Sequence, residues 1–156
     1  MSSVETGKKV PDFSGQATSD INFKLSDYNG TPLLIYFYPR DNTPGCTQEG
    51  KDFRDNYSAF EKKGISIFGL SRDSVKVHEN FKAKHEFPFD LISDKDETIC
   101  HLFDVIKEKN MYGKKVMGIE RSTFLIDPKG KLAAEWHKVK VKGHVEEVLS
   151  TLKENS

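Results

Sequence analysis

The stretch "PLLIYFYPRDNTPGC", residues 32–46, joins two different local patterns. Residues 32–38 form a continuous apolar and aromatic run, which is typical of a strand covered on both faces of a sheet. A polar loop then leads to Thr43 and Pro44, a good N-cap residue and a favoured first residue of a helix. Cys46 therefore falls at the third position of the predicted helix. The stretch predicts a buried strand, a short loop and a helix with a cysteine in its first turn.

The position of Cys46 changes the chemistry expected of its thiol. First-turn N–H groups and the positive end of the helix dipole stabilise an anion, so a thiol there ionises more readily and becomes a better nucleophile. Gly45 leaves space beside the sulfur for a small substrate, while Pro39 and Pro44 stiffen the loop and partly shield it from water. The alternative interpretation is an incidental small residue, because free cysteines usually pack as small hydrophobic side chains.

The rest of the chain predicts an α/β fold. Continuous apolar runs predict two more buried strands, at 64–71 and 122–127. Helical spacing of apolar residues predicts four helices, at 44–62, 74–85, 96–105 and 143–155. Turn residues predict an early hairpin within 12–25 and a late one, in which 128–130 join 122–127 to 131–137. This order of elements is that of a thioredoxin-like fold, with a central mixed sheet flanked by helices and an N-terminal hairpin.

Composition limits the classes of function. The chain has 156 residues and neither an internal repeat nor a long linker, so residues 1–156 are expected to form a single domain. Lys plus Arg equals Asp plus Glu, at 24 each, which argues against a nucleic-acid binder or a membrane-surface protein. The sequence shows neither an apolar signal segment nor a run long enough for a membrane span. Together with only two distant cysteines, this favours a cytoplasmic protein.

The loop before Cys46 also carries a family pattern. Residues 39–46, "PRDNTPGC", fit Pro-x-x-x-Thr-x-x-Cys after a buried strand, which resembles the active-site signature of peroxiredoxins. Four stretches are similar to the subgroup called bacterioferritin comigratory protein or peroxiredoxin Q: "YFYPRDNTPGCTQEGKDFRD" (36–55), "FGLSRDS" (68–74), "FPFDLISD" (87–94) and "GIERSTFLIDPKGK" (118–131). The resemblance covers nearly the whole chain. It implies a monomeric thioredoxin-fold enzyme that reduces hydrogen peroxide and organic hydroperoxides, without metal, haem or flavin.

The resemblance also assigns roles to individual residues. Cys46 matches the peroxidatic cysteine, and Thr43 matches the threonine whose hydroxyl contacts peroxide and sulfur. Pro39 matches the shielding proline. Arg121 matches the arginine that holds the thiolate and the peroxide, and Glu49 matches a polar position that helps to orient that arginine. Taken alone, Arg121 would be interpreted as half of a surface ion pair with its neighbour in the sequence.

The chain departs from this subgroup where a second cysteine is usual. Lys51 and Lys82 stand at the two positions at which many members carry a resolving cysteine. The second thiol of this chain, Cys100, shares a helical face with Phe103 and is expected to be a packed structural residue, although a resolving role stays open. We therefore expect a one-cysteine cycle in which an external thiol, of the thioredoxin or glutaredoxin type, reduces a sulfenic acid on Cys46.

Other classes of function are weaker interpretations. A Cys–His hydrolase would need one of five histidines beside Cys46, namely His78, His85, His101, His137 or His144. A metal site is set aside because no cluster of ligands is visible in the sequence. The basic, alternating run at 137–144 is interpreted as a half-exposed edge strand. A thioredoxin-fold binding or chaperone protein with an inert Cys46 is the strongest rival from a different class.

Overall fold

The computed structural model describes residues 4–154. Seven strands form one sheet in the order β2-β1-β5-β4-β3-β8-β9, and β6 and β7 form a separate hairpin. The strands are β1 Ser14–Ala17, β2 Asn22–Lys24, β3 Leu33–Phe37, β4 Ser66–Ser71, β5 Asp90–Ser93, β6 Ile106–Met111, β7 Lys114–Ile119, β8 Ser122–Ile126 and β9 Leu132–Trp136. The three predicted buried strands are confirmed as β3, β4 and β8, and both predicted hairpins are present as β1–β2 and β8–β9.

The central strand β3 divides the core into two apolar clusters. It pairs in parallel with β4 and antiparallel with β8, so the sheet is mixed as predicted. Because successive side chains point to opposite faces of a strand, Ile35 and Phe37 enter one cluster, whereas Tyr36 and Tyr38 enter the other. The five residues of β3 are all buried, which explains why the sequence shows a continuous apolar run rather than an alternating one.

Among residues 4–154, five α-helices flank the sheet. They are α1 Pro44–Asp55, α2 Tyr57–Glu61, α3 Val75–His85, α4 Thr98–Leu102 and α5 His144–Glu154. The prediction of one helix over 44–62 is wrong, because the chain breaks at Asn56, whose side-chain amide donates to the Asp52 carbonyl at 2.8 Å. The prediction of a helix over 96–105 is too long. Residue Phe103 already leaves the helical conformation, and Asp104 has a positive φ of 54°.

Three regions of the fold were missed or misread from the sequence. The short strand β5 was not predicted, and neither was the β6–β7 hairpin, whose turn residue Tyr112 is 99% exposed. Much of this hairpin is solvated, so it lacks the apolar alternation that reveals a half-buried strand. The basic run 137–144 is not an edge strand: it is an irregular connection that turns into α5.

Candidate active site

The predicted start of α1 is confirmed at every position. Thr43 is the N-cap residue, Pro44 is the first helical residue and Cys46 is the third. First-turn N–H groups of a helix have no partner within the helix, and they carry the positive end of its dipole. The Cys46 residue is only 2% exposed. Its sulfur therefore lies at a helix start that favours an anion and, at the same time, largely out of water.

Arg121 connects two side chains of α1. Its Nη2 donates to Cys46 Sγ at 3.5 Å, and its Nη1 donates to Glu49 Oε1 at 2.7 Å. Arg121 lies in the connection between β7 and β8, and its own carbonyl accepts from the Val139 N–H at 3.0 Å. The structure thus brings together three residues that the family resemblance singled out, although 75 residues separate the arginine from the cysteine.

Glu49 is buried with half of its carboxylate unpaired. Its side chain is 0% exposed, and Oε2 has no hydrogen-bond partner among the described residues 4–154. Burial raises the pKa of Glu49 from 4.5 to about 7, against the opposing charge and hydrogen bond of Arg121. The carboxyl group therefore costs free energy when it ionises, and the Arg121 contact offsets only part of that cost.

At the start of α1, the contacts of Thr43 and Gly45 differ from those of a simple helix cap and a spacer beside the sulfur. The Thr43 hydroxyl makes no capping bond; it donates to the Arg40 carbonyl at 2.9 Å. A Cβ atom on Gly45 would lie 3.1 Å from Arg121 Nη2, so this glycine makes room for the guanidinium group. Pro39 is half-buried at the end of β3. Thr43 and Gly45 therefore lie directly at the helix start, and Pro39 precedes it in the loop.

Lys109 is a further cation near the site, and sequence reasoning missed it. Its amine donates to the Ile119 carbonyl, two residues before Arg121. Burial lowers the pKa of Lys109, the charge of Arg121 lowers it further, and Cys46 acts in the opposite direction. Lys109 lies on the unpredicted β6–β7 hairpin, so no pattern in the sequence connected it with Cys46.

Cys100 lies on the other face of the sheet from Cys46. It belongs to the apolar cluster that contains Ile35 and Phe37, whereas Cys46 belongs to the opposite cluster. The residue is 0% exposed, and its backbone N–H donates to Asp94 Oδ2 at 2.7 Å. Burial, and then the nearby Asp94 carboxylate, hold the pKa of the Cys100 thiol well above its ordinary range. The structure does not bring the two thiols together.

The two lysines at the usual resolving positions are not equivalent. Lys51 is half-buried on α1. Lys82 Nζ donates to Asp90 Oδ1 at 2.6 Å and to Ser19 Oγ at 3.0 Å, which ties α3 to β5 and to the turn of the first hairpin. Burial alone would raise the pKa of Asp90, but hydrogen bonds from Lys82, Ser19 and Thr18 outweigh it and lower that pKa.

One group among residues 4–154 has the composition of a metal site. The ligand atoms of Asp41, Asp73 and His78 lie within 4.8 Å of one another. However, Asp41 Oδ2 and His78 Nδ1 are 2.6 Å apart, which is a direct hydrogen bond, and His78 Nε2 is 3.0 Å from the Ile92 carbonyl. The side chains of Asp41 and His78 are 0% exposed. These atoms therefore already have partners, and the group is better described as a hydrogen-bond network.

Two buried histidines have partners other than Cys46. His78 bonds to Asp41, and His144 Nε2 lies 2.8 Å from the Thr123 hydroxyl. The hydrogen bond that the structure gives to the Cys46 sulfur comes from Arg121. The arrangement matches an anion held by a cation more closely than a Cys–His pair.

Comparison with known proteins identifies the family of this chain. Residues 6–135 match the model of the AhpC/TSA family. Peroxiredoxin Bcp of Bacillus subtilis is 50% identical over 153 residues, which covers 98% of each chain. Peroxiredoxin Bcp of Xanthomonas campestris is 55% identical over 145 residues, covering 88% of this chain and 91% of that relative. The chain belongs to the AhpC/TSA family of peroxiredoxins.

Within that family, the relationship is to the Bcp and peroxiredoxin Q proteins. The solved bacterioferritin comigratory protein of Xanthomonas campestris is 50% identical, with a TM-score of 0.90, and the match covers 97% of this chain and 99% of that one. That structure is described as a trapped intermediate/ligand complex that bears on alkyl peroxide reduction. The predicted thioredoxin-like fold is thereby confirmed, and the chain is a thiol-dependent peroxidase.

Proposed function

We propose that Cys46 is the peroxide-reducing thiol of this enzyme and that it works in a one-cysteine cycle. The observation that carries the proposal is the hydrogen bond of 3.5 Å from Arg121 Nη2 to Cys46 Sγ at the start of α1. A helix N-terminus and a guanidinium group both favour the thiolate over the thiol. The thiolate is the form that can attack a peroxide.

The first step transfers one oxygen atom. The Cys46 thiolate attacks the terminal oxygen of the hydroperoxide, an S–O bond forms and the O–O bond breaks. The sulfur is oxidised to a sulfenic acid, and the peroxide leaves as an alkoxide or hydroxide that then takes up a proton. Negative charge therefore moves from sulfur to the leaving oxygen. Arg121 and the first-turn N–H groups can stabilise that charge because they are held in place before the reaction begins.

The neighbouring residues support this step in separate ways. Thr43 presents a hydroxyl whose hydrogen is given to the Arg40 carbonyl, which leaves its lone pairs free to accept from a peroxide O–H group. Gly45 admits the guanidinium group, and Glu49 fixes its far side. Pro39 is proposed to limit the entry of water. The low exposure of Cys46 fits a small substrate better than a bulky one.

The second step is proposed to use an external thiol. A disulfide needs Cα atoms within about 7 Å, and Cys100 lies across the sheet from Cys46. A thiolate of a thioredoxin- or glutaredoxin-type protein would attack the sulfenic sulfur, form a mixed disulfide and release hydroxide. The mixed disulfide is then exchanged by the second thiol of that protein.

The wider setting of the enzyme is proposed from the sequence, its family resemblance and the fold. The two apolar clusters share one sheet, which supports a single domain over residues 1–156. No helix of residues 4–154 is both long and apolar enough to cross a bilayer. A monomer in the cytoplasm, acting in antioxidant defence and reduced by a cytoplasmic thiol system, is the setting that we propose.

Peroxide consumption under coupled turnover tests the proposal. Thioredoxin and glutaredoxin systems are supplied in turn to the wild type, Cys46→Ser and Cys100→Ser. We expect turnover with at least one system, its loss in Cys46→Ser, and its retention in Cys100→Ser. Turnover in Cys46→Ser close to the wild-type rate would refute the proposed nucleophile, and loss of turnover in a folded Cys100→Ser would refute the one-cysteine cycle.

A further inference from the structure

A buried network holds the loop that carries Thr43. The carboxylate of Asp41, in the middle of the loop, accepts from the Tyr38 hydroxyl at 2.6 Å through Oδ1. Its other oxygen, Oδ2, lies 2.6 Å from His78 Nδ1. The side chains of Asp41 and His78 are both 0% exposed, and 37 residues separate them. A buried carboxylate is costly unless it is hydrogen-bonded, so this network must persist while the loop keeps its conformation.

The partners of His78 show where the hydrogens of the network lie. A carbonyl oxygen only accepts, so the contact of 3.0 Å between His78 Nε2 and the Ile92 carbonyl places a hydrogen on Nε2. A second hydrogen lies between Nδ1 and Asp41 Oδ2, carried by the imidazole or by the carboxyl group. His78 thus bridges β5, which contains Ile92, to the loop that follows β3.

The peptide unit between Arg40 and Asp41 is fixed at both of its polar ends. Its N–H, on Asp41, donates to Asp73 Oδ2 at 2.9 Å. Its carbonyl, on Arg40, accepts from the Thr43 hydroxyl at 2.9 Å. Asp73 is itself held, because its Oδ2 also accepts from the Ser71 hydroxyl at 2.5 Å. The orientation of this one peptide plane therefore determines where the Thr43 hydroxyl directs its lone pairs.

We propose that His78, acting with Asp41 and Tyr38, is a positioning residue for peroxide reduction. These three side chains, called the latch below, orient the Arg40–Asp41 peptide. The carbonyl of that peptide in turn orients the Thr43 hydroxyl toward the peroxide. It does not touch the sulfur, whose anion is held by Arg121 and the helix start. Loss of the latch should therefore reduce the reaction with peroxide and leave the reaction of the same thiolate with a simple alkylating agent unchanged. This inference rests on the proposed role of Thr43.

Two substitutions of His78 separate the halves of the network. In His78→Gln, the side-chain amide can reach the position of Nε2 and the Ile92 carbonyl, but the hydrogen bond to Asp41 is lost. In His78→Asn, the amide lies near the position of Nδ1, so the bond to Asp41 is kept and the bond to Ile92 is lost. The measured quantity is the second-order rate constant of Cys46 with hydrogen peroxide divided by that with iodoacetamide. We expect this ratio to fall about tenfold in His78→Gln and to stay near wild type in His78→Asn.

A double-mutant cycle with Thr43→Val tests whether His78 acts on the peroxide reaction through the Thr43 hydroxyl. If the latch acts through the Thr43 hydroxyl, His78→Gln should lower the ratio no further in the Thr43→Val background. His144→Gln, the same substitution at another buried histidine, is the matched control and should leave the ratio unchanged. Should His78→Gln fail to fold, Tyr38→Phe removes one hydroxyl from the latch and should still lower the ratio.

Three outcomes would overturn the proposal. The ratio could stay at its wild-type value in a folded His78→Gln or, where that variant does not fold, in Tyr38→Phe. It could fall equally in His78→Gln and His78→Asn. It could fall by the same factor with and without the Thr43 hydroxyl. A wild-type protein that does not react with peroxide would instead refute the proposed function, so the two failures are distinguishable.

Discussion

At the candidate active site, one guanidinium group contacts two side chains. Arg121 Nη1 pairs with Glu49, and Nη2 reaches the sulfur of Cys46. The planar fork of arginine allows both contacts at fixed separation, which the single ammonium group of lysine cannot reproduce. Two side chains of α1, a carboxyl group and a cysteine sulfur, therefore share one cation from the connection between β7 and β8.

Substitution of Arg121 by lysine should slow the reaction with peroxide. The charge is kept, but a lysine amine cannot hold Glu49 and the sulfur together, so we expect a loss of about tenfold in the second-order rate constant. Stopped-flow measurement of peroxide-induced oxidation checks this. Arg54→Lys is the control. Arg54 lies in the last turn of α1, where it donates to the His85 carbonyl at 2.9 Å, so this variant should keep the wild-type rate. A wild-type rate in Arg121→Lys would show that only its charge matters.

The raised pKa of Glu49 predicts a pH dependence of stability. A carboxyl group whose pKa moves from 4.5 when unfolded to about 7 when folded binds its proton more tightly in the folded state. Its contribution to stability is then full below pH 4.5 and is lost as the pH rises through 7. Relative to Glu49→Gln, the wild type should lose about 3 kcal/mol of unfolding free energy across this interval.

Urea unfolding at several pH values measures the effect. Glu49→Gln should lack the loss, whereas Glu61→Gln, at an exposed glutamate of α2, should follow the wild type. If the unfolding free energy of the wild type and that of Glu49→Gln changed with pH in the same way, Arg121 would fully compensate the burial of the carboxylate.

At the scale of elements, the sequence predicted those parts whose signals are local. Strand β3 and the start of α1 were predicted correctly because a buried apolar run and a Thr-Pro cap each lie within a few residues. The short strand β5 and the solvated hairpin β6–β7 were not predicted, since neither shows a regular alternation of buried and exposed residues. The break between α1 and α2 carries neither proline nor glycine, and its local signal is Asn56, a residue that also occurs within helices.

The residues of the candidate site also fall into those predicted from a local motif and those that only the folded structure brings together. Pro39, Thr43 and Cys46 form a local motif, and the family resemblance added Arg121 and Glu49. His78 could not be paired with Asp41 from the sequence, because the contact is made only when α3 packs against β5 and His78 reaches the loop after β3. An isolated histidine in a helical pattern is more often a solvated or packed residue than a functional one, and only the folded contacts distinguish these cases.

A substitution at the N-terminus of α3 should lower stability without changing the reaction with peroxide. Ser74 is its N-cap, and the Ser74 hydroxyl accepts from the Val77 N–H at 3.2 Å. Ser74→Ala should lower the unfolding free energy by about 1 kcal/mol, because one helix-end N–H group loses its partner. Urea unfolding measures this loss. The ratio of peroxide to iodoacetamide rates should stay unchanged, because the His78 backbone N–H donates at 3.0 Å to the main-chain carbonyl of Ser74, which alanine also carries; a fall in the ratio would mean that any loosening of α3 disturbs the site.

At the scale of the whole molecule, the sheet separates the two thiols. Cys46 packs with Tyr36 and Tyr38 on one face, and Cys100 packs with Ile35 and Phe37 on the other. Oxidation of Cys46 therefore leaves a sulfenic acid without an internal partner in this fold. Excess peroxide should convert it to the sulfinic acid, which ordinary thiols do not reverse. A wild-type protein that stays fully reducible after excess peroxide would indicate a protecting disulfide.

Intact mass spectrometry after one equivalent of peroxide tests the central claim most directly. The claim is that Cys46 alone is oxidised and that Cys100 does not resolve it. With dimedone present and no reductant, the wild type and Cys100→Ser should both gain one dimedone adduct, mapped to Cys46, and Cys46→Ser should gain none. Rapid loss of two hydrogen masses without an adduct in the wild type, absent in Cys100→Ser, would contradict the claim, because it would establish a disulfide between Cys46 and Cys100.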